Sequence, residues 1–230
     1  MAGPAARRGH LIVLEGPDGA GKSVQASRLA EHLKDRGHSV RLTREPGGTR
    51  LGEQVRAILL DLGPVARGPM ADALLFNAAR SQLVGEVIRP AMERGEVVVC
   101  DRYSASSAAY QGHGSGVGQA ALAGLAELAT GGLVPDLVIL IDVPVEVGLA
   151  RRDAGRSDER TRFEDEGRHD LAFHQRVRAG YLSMAAAEPE RWRVVDGEAP
   201  SHEVSREIAH AVDALLLKAG DHGEGEDALG

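Results

Sequence analysis

Short runs of consecutive apolar residues alternate along the chain with stretches whose apolar positions fall three and four apart. His10–Glu15 (HLIVLE), Ser39–Thr43 (SVRLT), Glu96–Cys100 (EVVVC) and Leu137–Asp142 (LVILID) read as strands, and Trp192–Val195 as a weaker fifth. Leu29, Ala30 and Leu33 mark one helix; Met70, Leu74 and Ala78, then Leu83, Val87 and Ala91, mark a helical stretch further on. Val204, Ile208, Val212 and Leu215 give a last amphipathic helix. Strands that are apolar throughout and separated by helices predict a parallel five-stranded sheet covered on both faces. That is the doubly wound α/β layout, with ligands outside the carboxyl ends of the strands.

Length adds that 230 residues suffice for one such domain and are few for two. The pattern runs over residues 10–218, after a flexible start at 1–9. Beyond Lys218 the chain reads AGDHGEGEDALG, without periodicity, and is expected to be a disordered tail. A net charge of −7 argues against a large nucleic-acid face. Six arginines nevertheless fall between Arg151 and Arg168, which suits a small anionic ligand. The single Cys100 allows no internal disulfide. No apolar run approaches the ~20 residues of a membrane span, and Met1 to Gly9 does not read as a signal peptide. A cytoplasmic location is the expectation.

The candidate chemistry begins directly after the first strand. Gly16-Pro17-Asp18-Gly19-Ala20-Gly21-Lys22-Ser23 matches G-x-x-x-x-G-K-[ST] and precedes a helix. The glycines let backbone N–H groups turn inward onto phosphate oxygens. Lys22 supplies a point charge for the β- and γ-phosphates, and the Ser23 hydroxyl can ligate Mg²⁺. Guanine-reading P-loop proteins usually carry Asn-Lys-x-Asp; the only asparagine here is Asn77, followed by Ala78. The chain is also short for a motor, so a small-molecule kinase is left. Asp101-Arg102-Tyr103 ends the third strand at the ligand edge, where Asp101 can position Mg²⁺ or its water and Arg102 can clamp a phosphate. A purely structural Asp–Arg pair is the other reading of that motif.

LIVLEGPDGAGKS, TREPGGT, LLFNAARSQ, DRYSASSAAYQG, PDLVILIDVPVEVGL, RFE and FHQRVRAGYL stand in one order over about residues 10–197. In these the chain resembles the thymidylate kinase family, of the bacterial kind. The resemblance implies a P-loop NTPase-type fold with a mobile lid, and transfer of the γ-phosphoryl of ATP to dTMP in dTTP synthesis, with Mg²⁺. It implies a homodimer packed through helices beside the sheet. Asp18 would face the acceptor sugar and Arg102 would clamp the acceptor phosphate, with Arg44 as a second candidate. Phe76 and Arg80, one helical turn apart, would stack on thymine and donate to its O4. Ser107 and Gln111 would read the base edge, and Tyr103 and Tyr110 would wall the sugar. A kinase for another deoxynucleotide or a modified pyrimidine nucleotide is the alternative, and some action on dUMP is expected because one methyl group discriminates weakly. A non-enzymatic nucleotide-binding P-loop protein is a third reading, disfavoured by the acceptor residues.

Arg151 to Glu164 (RRDAGRSDERTRFE) is either a solvated surface loop or a lid that closes over ATP. Some relatives carry an arginine in the P-loop where Gly19 stands here. With glycine there, the catalytic arginine should come from the lid, from Arg156, Arg160 or Arg162. Thr161 and Ser115 depart from common family residues. The nine histidines show no metal spacing, and His169 and His174 read as solvated. Cys100 reads as core, and Trp192 as packed under the last helix.

Overall fold

The computed structural model describes residues 8–60, 66–154 and 171–224, the last six by backbone only. Five strands form one parallel sheet: β1 (Leu11–Glu15), β2 (Val40–Arg44), β3 (Val97–Asp101), β4 (Leu137–Asp142) and β5 (Trp192–Asp196), in the order β2-β3-β1-β4-β5. The helices are α1 (Lys22–Asp35), α2 (Arg50–Leu60), α3 (Pro69–Leu83), α4 (Arg89–Glu93), α5 (Ser104–Ser107), α6 (Gln119–Thr130) and α7 (Val145–Ala154), then α8 (Leu171–Ala187) and α9 (Ser201–Glu224). Two π-helical turns, Val84–Ile88 and Ala108–Gly114, interrupt the run. The expected five strands are all present, and α9 continues past Lys218 to Glu224.

Alternate residues of each strand enter opposite layers. Ile12, Leu14, Val97, Val99, Ile139 and Ile141 pack with Leu29 and Leu33 of α1 and Val204, Ile208 and Val212 of α9. On the other face Leu11, Val13, Val98 and Cys100 meet Leu83, Val84 and Ile88. There too, Val138 and Leu140 meet Val177, Tyr181 and Ala185 of α8. Full burial on both faces holds for the central strands only. β2 is an edge strand, and Leu42 on it is 42% exposed.

Two expectations are corrected. Trp192 packs under α8, among Val138, Leu140 and Tyr181, and not under α9. Val195, three residues on and therefore on the opposite face, takes the α9 side. His174 is not solvated: it is buried, its ring edge-on to Phe173 at 5.3 Å. His169 lies outside the described residues. On α3, the stripe of Met70, Leu74 and Ala78 faces outward, while Asn77, Arg80 and Leu83 are buried. A buried ionic group, described below, claims the inner face of that helix.

Candidate active site

β1 ends in Glu15, and the chain then turns through Gly16 at φ 147°, Gly19 at φ 75° and Gly21 at φ 88° before α1 starts at Lys22. These conformations belong to glycine. Lys22 Nζ donates back to the carbonyls of Gly16 (3.0 Å) and Pro17 (2.7 Å). Burial, with the charge of Arg102 second, holds this amine down at about 8. Strand pairing sets β3 beside β1, so Asp101 lies next to the loop, where Ser23 Oγ donates to Asp101 Oδ2 at 2.5 Å. Asp101 Oδ1 is buried without a hydrogen-bond partner among the described residues.

Arg102 follows with a left-handed backbone, φ 71°, unusual for a residue with a side chain. Its Nη2 donates to Asp18 Oδ1 at 2.6 Å, and its Nη1 to Ser106 Oγ (3.1 Å) and Tyr181 Oη (3.3 Å). The guanidinium also lies 5.1 Å from the ring centre of Tyr110. Burial alone would raise the Asp18 carboxyl, but Arg102 and Lys22 outweigh it and hold it below the usual carboxylate range. Beneath this layer Glu15 is fully buried and accepts from the N–H of Tyr103 (2.8 Å), from Ser106 Oγ (2.6 Å) and from Tyr181 Oη (3.0 Å). Its pKa is raised by burial, against the pull of Arg102.

A second buried ionic group lies to the side. Arg80, 1% exposed, donates to Glu45 Oε2 (2.8 Å), Asn77 Oδ1 (2.8 Å), the Tyr103 carbonyl (3.1 Å) and Ser107 Oγ (3.1 Å). Burial pushes the Glu45 carboxyl up to about 7, against the pull of Arg80. Glu45 opens the turn that continues through a cis bond to Pro46. Glu53 of α2 pins that turn by accepting from Arg44 Nη2 (2.9 Å) and from the Gly48 N–H (2.9 Å).

One cavity of about 510 Å³ joins these parts. Gly19, Gly21, Lys22, Ser23, Asp101 and Arg152 line it, as do Arg44, Arg56, Phe76, Ser107, Tyr110 and Gln111, with Asp18 and Arg102. The family model described as thymidylate kinase matches residues 14–208. A thymidylate kinase of Thermomicrobium roseum is 51% identical, with 90% of this chain and 96% of the relative covered. One of Deinococcus radiodurans is 48% identical, over 89% and 97% respectively.

The chain belongs to the thymidylate kinase family. The crystal structure of thymidylate kinase from Ehrlichia chaffeensis agrees, with a TM-score of 0.71 at 30% identity, covering 89% of this chain and 99% of that one.

For a thymidylate kinase, the cavity brings together most of the residues expected from the sequence. Two expectations change. Tyr103 does not wall the sugar: its ring is 1% exposed in the core, and its hydroxyl donates to the Leu133 carbonyl at 3.2 Å. The helix that starts at Ser104 turns its backbone toward the site and its ring away. Arg80 does not line the cavity; among the described residues its partners leave one Nη1 hydrogen unused. Arg156, Arg160 and Arg162 lie outside the described residues.

Sequence reasoning missed Arg56, Tyr181, Glu15, Glu45 and Arg152. Arg56 Nη1 donates to the Pro46 carbonyl at 3.0 Å, and burial, then Arg44, lower its pKa. Its signal was available, since Arg56 follows Glu53 by three residues and so shares its helix face. Glu15 also had a signal, as a carboxylate closing an otherwise apolar strand.

The donor set fits Mg²⁺. The orphaned Asp101 Oδ1 and the Ser23 hydroxyl offer hard oxygens, and Mg²⁺ commonly takes one carboxylate with substrate phosphates and waters. No cluster of three or more His, Cys, Asp or Glu side chains placed to hold a metal exists among the described residues.

Proposed function

We infer that this protein transfers the γ-phosphoryl group of ATP to dTMP, giving ADP and dTDP. The observation that carries the reading is one cavity lined both by the P-loop and by Arg44, Arg56 and Arg102. Such transfer needs two anions held in line with their charge neutralised, and no covalent intermediate on the protein.

At the donor end, the loop from Gly16 to Ser23 holds the ATP phosphates through backbone N–H groups and Lys22. Ser23 and Asp101 would hold Mg²⁺, which neutralises phosphate charge when bound. At the acceptor end, Arg102, with Arg44 and Arg56 near it, binds the dTMP phosphate. Asp18 accepts from the sugar hydroxyl, Tyr110 flanks the sugar, and Phe76 stacks on the base. Ser107 and Gln111 read its edge, while Arg80 fixes Ser107 and Glu45 and keeps one N–H for a carbonyl oxygen. Rates of ADP release with dTMP, dUMP, dCMP and dGMP test the acceptor. A preference for any base other than thymine would replace this reading with the other nucleotide kinase.

The protein also works as a homodimer in this reading. Leu51 and Ile58 of α2, Met70 and Leu74 of α3, and Leu128 of α6 are 42–83% exposed on neighbouring helices, an apolar surface suited to a second copy. No helix among the described residues is long and apolar enough to cross a membrane, and a cytoplasmic place for the reaction accords with its soluble substrates.

A further inference from the structure

We infer that Arg152, near the end of α7, is a further cationic ligand of the donor's phosphate chain, in the cavity that Lys22 also lines. The assignment rests on the ATP-kinase reading above.

The argument starts with two glycines. A Cβ on Gly19 would lie 1.9 Å from the Gly148 carbonyl oxygen, and a Cβ on Gly148 would lie 2.5 Å from that of Asp18. Helix α7 therefore rests backbone to backbone on the P-loop. Arg152 follows Gly148 by four residues, so it shares the helix face turned toward the loop. Its side chain is 8% exposed and lines the same cavity as Lys22 and Ser23.

Its hydrogen bonds are incomplete. Nε donates to Asp153 Oδ1 at 3.2 Å, a half-exposed carboxylate, while Nη1 is buried with no partner among the described residues. A buried guanidinium N–H without an acceptor is unfavourable, and an oxygen anion in the cavity satisfies it. Its planar fork of donors matches phosphate oxygens. The neighbouring Arg151 is differently employed, donating to the Gly197 carbonyl at 2.6 Å. Another orphaned atom on a cavity residue, Asp101 Oδ1, is an acceptor and suits a cation instead.

The test compares Arg152→Ala and Arg152→Lys with the parent full-length chain, measuring equilibrium binding of ATP and of dTMP, turnover and melting temperature. Arg152→Ala is expected to weaken ATP binding about tenfold and leave dTMP binding within about twofold. Arg152→Lys is expected to recover part of the loss, because it keeps the charge without the fork. ATP binding within about twofold of the parent in Arg152→Ala overturns the assignment. So does an equal loss of ATP and dTMP affinity with a lowered melting temperature, which marks a structural role. The kinase reading is judged separately, by the parent's turnover of dTMP. A parent that fails to phosphorylate dTMP, while Arg152 still governs ATP affinity, overturns the acceptor and keeps the ligand.

Discussion

Arg102 and Asp18 meet at 2.6 Å, joining the end of β3 to the P-loop. The pair brings an acceptor-side cation and a sugar-side carboxylate to the point where the two nucleotides face each other. Ser106 and Tyr181 accept from the Arg102 guanidinium and donate in turn to the buried Glu15 beneath them.

Arg102→Ala is expected to raise the KM for dTMP and to lower kcat. Charge-assisted hydrogen bonds are worth ~1.5–3 kcal/mol, so kcat/KM for dTMP should fall about 10–100-fold, with ATP affinity little changed. Unaltered steady-state kinetics in dTMP would contradict the clamp.

Lys22 makes ATP binding depend on pH. Bound phosphates favour the charged amine and draw its pKa back up from about 8, so binding takes up a proton above that value. ATP affinity should be flat from pH 6 to about 8 and then decline by at most about tenfold per unit. Without ligand the sign is opposite. The folded amine releases its proton before the unfolded one, so this group favours folding increasingly as pH rises from about 8 to 10.5. Isothermal titration calorimetry in buffers of different ionisation enthalpy reads the proton uptake directly.

Ser23→Ala removes one of the two oxygens offered to Mg²⁺. The Mg²⁺ concentration for half-maximal rate should increase about tenfold, while the protein melts as before. An unchanged Mg²⁺ titration would place the ion elsewhere.

Gly19→Ala forces a methyl group into the Gly148 carbonyl and occupies φ 75°, a region disfavoured for alanine. A cost of about 1–3 kcal/mol follows, readable as a lower melting temperature and as weaker ATP binding, since α7 must lift off the loop.

Leu74→Glu places a charge on the outward stripe of α3, where Leu74 is 51% exposed. The monomer should fold normally, and sedimentation velocity should show the dimer lost. A parent chain that sediments as a monomer would remove the basis for the dimer.

The fold was readable because the central strands are apolar up to the acidic residue that ends each, and the P-loop marks the first turn. The acceptor wall was readable only in part. Met70 and Leu74 carry the apolar periodicity of α3, yet the inner side of that helix holds the buried Arg80–Glu45 pair. An ionic pair whose partners lie 35 residues apart leaves no local pattern. Arg152 is hidden for a similar reason. Its neighbourhood is set by Gly148 pressing on Gly19, a contact that no spacing rule encodes. Tyr103 shows that a residue beside a functional arginine can still turn its ring into the core.

Cys100, the chain's single cysteine, is wholly buried in a central strand, and burial pushes its thiol well above the ordinary range. A thiol reagent can reach it only when the sheet itself comes apart. Its labelling rate therefore reports opening of the whole domain, in unaltered protein and with no engineered probe, and ATP should slow that rate in proportion to how tightly it binds.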